Sequence, residues 1–162
     1  MRTRSALIAL GLFLLGCGQA DGPLLNGMRA PSIDGVSLDG REVTQSGSWM
    51  LVDFWGSWCA PCHAEVPYLK AAHERWSDSG LFIVAIANDH PDSVRAFVAR
   101  YEIPWTQIVQ QEGGDDEILR RWNVIGYPTT YLVGPGGRIR AREAELRGAR
   151  LASTLQRLLS AE

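Results

Sequence analysis

Trp49-Met50-Leu51-Val52-Asp53-Phe54-Trp55-Gly56-Ser57-Trp58-Cys59-Ala60-Pro61-Cys62 is the stretch from which the rest of the chain can be read. Trp49 to Trp55 is almost continuously apolar, the pattern of a strand covered on both faces, and so reads as the centre of a sheet. Ala60 to Trp76 carries Val66, Leu69, Ala72 and Trp76 at spacings of three and four, which predicts a helix. Pro67 should kink it, because a mid-helix proline lacks one backbone donor and clashes with the preceding turn. Cys59 and Cys62 stand where strand gives way to helix. Free N–H groups and partial positive charge at a helix amino terminus stabilise a thiolate, so Cys59 is the candidate nucleophile. Cys62, one turn on, can attack a mixed disulfide formed at Cys59. Pro61 is pre-set for the first helical turn and stiffens the junction.

Outward from this core, Val36 to Val43 reads as a hairpin turning at Asp39-Gly40. Leu81 to Ala87 is a second buried strand, Asp92 to Tyr101 a helix opened by His90-Pro91-Asp92, and Thr106 to Val109 a short strand. Gly113-Gly114-Asp115-Asp116 leads into a helix through Trp122, with its acids where the helix dipole favours them. Thr129 to Val133 and Arg138 to Glu143 are strands around Gly134-Pro135-Gly136-Gly137. Ala149 to Leu159 is a last helix, with Leu151, Leu155, Leu158 and Leu159 on one face. Alternation of strands and helices up to a final hairpin gives an α/β class with a mixed sheet. Arg138, Arg140 and Arg142 alternate with Ile139 and Ala141 as outward strand positions that discourage edge pairing.

The 162 residues are 46% hydrophobic and 21% charged with mean hydropathy -0.08, the composition of one globular domain. Sixteen Lys+Arg against 18 Asp+Glu, a formal charge of -2 and no block of like charge exclude a general nucleic-acid binder. Three cysteines are too few for a disulfide scaffold. Met1-Arg2-Thr3-Arg4, the apolar run Ala6 to Leu15 and then Gly16-Cys17 form an export signal too short to span a bilayer. Leu14-Leu15-Gly16-Cys17 resembles the lipobox of bacterial lipoproteins, which implies a lipidated Cys17; an ordinary secretory peptide is the alternative. Gly18 to Gly27 is rich in glycine and polar residues and reads as a flexible linker. The expected division is a signal peptide over 1–16, anchor and linker over 17–29, and a folded domain over 30–162.

The run from Leu51 to Cys62, followed by Pro67 and by Gly126-Tyr127-Pro128-Thr129-Thr130, resembles the thioredoxin superfamily. With the extra segment between Asp89 and Gln111 and the lipobox, the chain is most similar to the exported, membrane-tethered TlpA-like and ResA-like branch of thiol-disulfide oxidoreductases. The resemblance implies a thioredoxin fold with an inserted strand-helix element. It also implies that Pro128 is cis beside the cysteines, with the backbone of Tyr127 pairing with a partner segment. Asp53 falls at the buried carboxylate that accepts the proton of the second cysteine, where apolar surroundings raise its pKa. Glu65, three residues past Cys62, matches a glutamate near the active site of the ResA-like branch and reads equally as a solvated helix carboxylate. Trp58 beside the nucleophile is placed to shape the substrate contact.

The implied activity is extracytoplasmic exchange with protein cysteines, as a reductase in cytochrome c maturation or exported-protein thiol reduction. It needs no cofactor or metal, because the redox couple is the Cys59-Cys62 pair. Expected partners are protein thiols and disulfides, a membrane electron donor of the DsbD/CcdA type and the membrane itself through Cys17, facing the periplasm or cell exterior. A monomer is expected.

Other readings use the same residues. Cys59-Ala60-Pro61-Cys62-His63 fits the pattern for covalent c-type haem, although Met28, Met50, His73 and His90 show no organised placement as axial ligands. One C-x-x-C pair supplies only half of a tetrahedral zinc set. A static disulfide in a tethered binding module remains open, but so short a loop gains about 2 kcal/mol by closure. A separate peroxidatic cysteine in a Thr-x-x-Cys setting is absent.

Overall fold

A computed structural model describes residues 23–44, 47–110 and 117–160. Cys17, the export signal and Gly113 to Asp116 lie outside them. In chain order the elements are β1 (Gly35–Val36), β2 (Glu42–Val43), β3 (Trp49–Trp55), α1 (Ala60–Trp76), β4 (Leu81–Asn88), α2 (Pro91–Tyr101), β5 (Thr106–Gln110), α3 (Glu117–Arg121), β6 (Thr129–Val133), β7 (Ile139–Arg142) and α4 (Ala149–Leu159). The main sheet has the order β5-β4-β3-β6-β7, and β1 and β2 form the expected small hairpin. β4 and β5 run parallel to β3 through the helical crossovers α1 and α2, whereas β6 and β7 are antiparallel.

Every residue of β3 is buried, as its apolar run requires. Its alternation sorts the core into two faces. Trp49, Leu51 and Trp55 point into a cluster closed by α1, α2 and α4, where Val66, Leu69, Phe97, Leu151 and Leu155 meet them. Met50, Val52 and Phe54 point the other way, onto Ile33, Ile118, Trp122 and Tyr131. Trp122 is fully buried there, with ring centroids 5.7 Å from Phe54 and 5.3 Å from Tyr131. Asp53 therefore faces α1, a carboxylate in the apolar row between Leu51 and Trp55.

Three expectations change. The segment read as a linker is docked at its end: Leu24 is buried, Gly27 and Ala30 donate N–H bonds to Ile139 and Gly137, and Arg29 bridges Arg138. Backbone pairing with the β7 side holds it, and residue composition carries no sign of such pairing. The strand expected over Arg138 to Glu143 stops at Arg142, since Glu143 has φ +49° and opens a 3-10 turn (Glu143–Leu146). The helix expected through Trp122 ends at Arg121, and Asn123, with φ +49°, redirects the chain. Pro67 lies inside α1, which continues as one 17-residue helix around it.

Candidate active site

Cys59 is the N-cap of α1, and the Cys62 N–H points at its sulfur from 3.3 Å. Pro61 occupies the first turn, where its missing N–H costs nothing. The two cysteines form a disulfide with Cα atoms 5.3 Å apart, and each is only 4% exposed. In the reduced state the same Cys62 N–H, at the amino terminus of α1, is placed to face the Cys59 sulfur.

The floor of the site is one row across the sheet. Register places Gln107, Ala85, Asp53 and Thr130 side by side on β5, β4, β3 and β6. Asp53 is 4% exposed and accepts a bond of 2.7 Å from the Thr130 hydroxyl. Burial raises its pKa to about 6, against the lowering pull of the Thr130 bond and the Arg147 charge and with a raising contribution from Glu65. Asp53 and Cys62 line one small cavity of about 10 Å³ together with Gln107 and Trp55. That volume is about the least that one water needs. The Gln107 side chain is held by Trp55 Nε1, which donates to its Oε1 at 3.1 Å.

The loop before Cys59 is clamped from two sides. Asp89, 9% exposed, accepts from the N–H of Ser57 through Oδ2 and from that of His90 through Oδ1, both at 2.7 Å. His63 Nε2 lies 2.7 Å from the Ser57 carbonyl, so it carries its proton there, and its ring packs 4.8 Å from Phe97. A histidine engaged in this way, next to cysteines bonded to each other and covered, does not fit an axial ligand of covalent haem. Trp58 is 60% exposed, donates Nε1–H to the Asn88 carbonyl at 3.1 Å and meets Tyr127 edge-on with centroids 5.4 Å apart. Gly56 permits this, because a Cβ there would lie 2.7 Å from the indole.

Tyr127-Pro128 is a cis peptide bond, as the resemblance implied. The Pro128 carbonyl accepts from Arg147 Nη2, while Arg147 Nη1 donates to the Thr130 hydroxyl at 2.5 Å. Glu65 reaches toward α4, where its Oε2 accepts from the Gly148 N–H at 2.8 Å. Gly148 has φ +53° at the N-cap of α4, so Glu65 ties α1 to the start of α4 where a carboxylate is favoured. The structure thus gathers Cys59, Cys62, Asp53, Trp58, Tyr127 and Pro128 at one end of the sheet, with Glu65 at its margin. The sequence reading missed Asp89, His63 as a loop clamp and Arg147. Asp89 had a signal, an acid between a strand end and a helix start; Arg147 had none. Among the described residues no group of His, Cys, Asp and Glu could hold a metal ion, and no helix is long and apolar enough to cross a membrane.

A mixed sheet of this order, with a C-x-x-C disulfide opening α1 and a cis-proline turn beside it, defines a thioredoxin-fold redox protein. Residues 27–142 match the AhpC/TSA family, and the chain belongs to that family. Similar curated proteins include the thiol-disulfide oxidoreductase ResA of Geobacillus kaustophilus, 30% identical over 118 residues, covering 70% of this chain and 66% of the relative. The thioredoxin-like protein YneN of Bacillus subtilis is also 30% identical over 118 residues, covering 68% and 66%. The chain spans slightly less than two thirds of these relatives' length. Among solved structures, the thioredoxin domain of a thiol-disulfide oxidoreductase from Bacteroides vulgatus is similar with TM-score 0.78 and 31% identity, covering 84% of this chain and 99% of that one. A thiol:disulfide interchange protein from Bacteroides sp. is similar with TM-score 0.76 and 30% identity, over 85% and 91%.

Proposed function

We propose that the protein is a thiol-disulfide oxidoreductase that reduces disulfides in exported proteins, held at a bacterial membrane by a lipid on Cys17. The observation that carries this reading is the Cys59-Cys62 pair at the start of α1 with the buried Asp53 sharing a cavity with Cys62. Relatives named ResA support it. The Cys59 thiolate attacks one sulfur of the client disulfide, forming a Cys59-client bond and releasing the other client sulfur, which takes a proton from water. Cys62 then passes its proton to Asp53 and attacks the Cys59 sulfur, and the client's second sulfur leaves. Two electrons pass to the client, and Cys59-Cys62 is left oxidised.

A membrane donor of the DsbD/CcdA type restores the dithiol from outside the cytoplasm, and the cysteine pair needs no cofactor. Tyr127 and Pro128 offer backbone to an extended client segment, with Trp58 at its side. Thiols of apocytochrome c and of metal-site assembly are the client classes that suit a tethered reductase. The test is the reduction potential of the chain lacking residues 1–17, equilibrated in thiol-disulfide buffers and read by thiol trapping. A value near the thioredoxin figure of about -270 mV is expected, and one near the oxidant figure of about -120 mV would reverse the direction of electron flow.

A further inference from the structure

The turn that faces the client and the acid that serves Cys62 are tied to the same cation. Arg147 is three-quarters buried, on the short stretch between the 3-10 turn and α4. One arm of its guanidinium donates to the Pro128 carbonyl and the other to the Thr130 hydroxyl. Thr130 has a single proton, and it is spent on Asp53 Oδ1. Arg147 fixes the direction of that bond by occupying the oxygen from behind, so the chain runs from guanidinium to hydroxyl to carboxylate, each link polarising the next. Planar, two-armed donation is a property of arginine that lysine lacks.

We propose that Arg147 is a positioning residue for disulfide exchange: it holds the backbone of the client-facing turn at Pro128 and, through Thr130, the carboxylate that takes the Cys62 proton. This rests on the role given above to Asp53. The charged groups acting on Asp53 are Arg147, which favours its ionised form, and Glu65 from α1, which opposes it. On its other sides lie Ala85 of β4, Gln107 of β5 and Cys62 of α1. Glu143 pairs with Arg147 at 3.8 Å from the half-exposed side and leaves both of its hydrogen bonds in place.

The test is stopped-flow single turnover of the reduced chain with a self-quenched fluorescent peptide disulfide from pH 5 to 9, varying the peptide concentration. Arg147→Gln and Thr130→Val are each expected to move the midpoint of the Cys62 resolving step upward by about one pH unit, slowing it roughly fivefold at pH 6 and little above pH 8. Arg147→Gln alone also raises the peptide concentration for half-saturation, since only it frees the Pro128 carbonyl. Arg147→Lys recovers the midpoint and not the half-saturation. In an Asp53→Asn background neither substitution moves the profile. An unchanged midpoint in Arg147→Gln, with the Asp53→Asn profile altered, would overturn the positioning role and leave Asp53 in the mechanism. A wild-type profile in Asp53→Asn would instead remove the acid and the proposal with it. Should Arg147→Gln fail to fold, the near-isosteric Thr130→Val decides alone, an unchanged midpoint again overturning the proposal.

Discussion

Asp53 stands where packing and chemistry pull against each other. An acid whose folded pKa is raised from 3.8 to about 6 keeps its proton in the folded chain while the unfolded chain gives it up. Its favourable contribution is therefore complete below about pH 4 and lost as pH rises through 6, a change of about 3 kcal/mol. Denaturant unfolding of oxidised Asp53→Asn, whose amide oxygen still accepts from Thr130, should show a stability gain over wild type that grows from pH 4 to pH 7. A gain independent of pH would mean that Asp53 ionises in the folded state as freely as in the unfolded one. The same raised affinity suits a group that must take a proton near neutral pH. Its identity as the buried acid was legible because Leu51, Val52, Phe54 and Trp55 surround it in sequence. Thr130 and Arg147, which restrain it, come from β6 and beyond β7, and no local pattern announces a contact made across the sheet.

At the scale of elements, β3, α1 and α4 have the boundaries their patterns predict, because β3 is buried on both faces and each helix buries one regular face. The ends of β7 and α3 were misplaced, since left-handed residues at Glu143 and Asn123 turn the chain where composition is neutral. Gly18 to Gly27 was legible only as glycine-rich and polar, yet its end from Leu24 and the residues after it up to Ala30 lie on β7 and seal the face opposite α1. Leu24→Ala should thus lower stability by about 2 kcal/mol, measured by chemical denaturation, as expected for truncating a buried leucine. A change below about 0.5 kcal/mol would return the segment to the status of a free tether.

For the molecule as a whole, sheet order brings the two halves of the site together. β3 delivers the cysteines at its carboxyl end through α1, and the antiparallel β6 starts beside that end, so the turn at Tyr127-Pro128 arrives next to Cys59. The proposed lipid anchor rests on residues 14–17 alone: if it holds, Cys17→Ala should shift the protein from the membrane to the soluble fraction, and unchanged fractionation would rule the lipid out.

The central claim is that Cys59 attacks and Cys62 resolves, and one measurement meets it most directly. Reduced Cys62→Ser and Cys59→Ser chains, each mixed with a peptide disulfide, are alkylated and weighed by intact-mass spectrometry. A stable adduct of one peptide half on Cys59 is expected in Cys62→Ser, and almost none in Cys59→Ser. Equal adducts in the two variants, or an adduct only on Cys62, would contradict the assignment of the nucleophile.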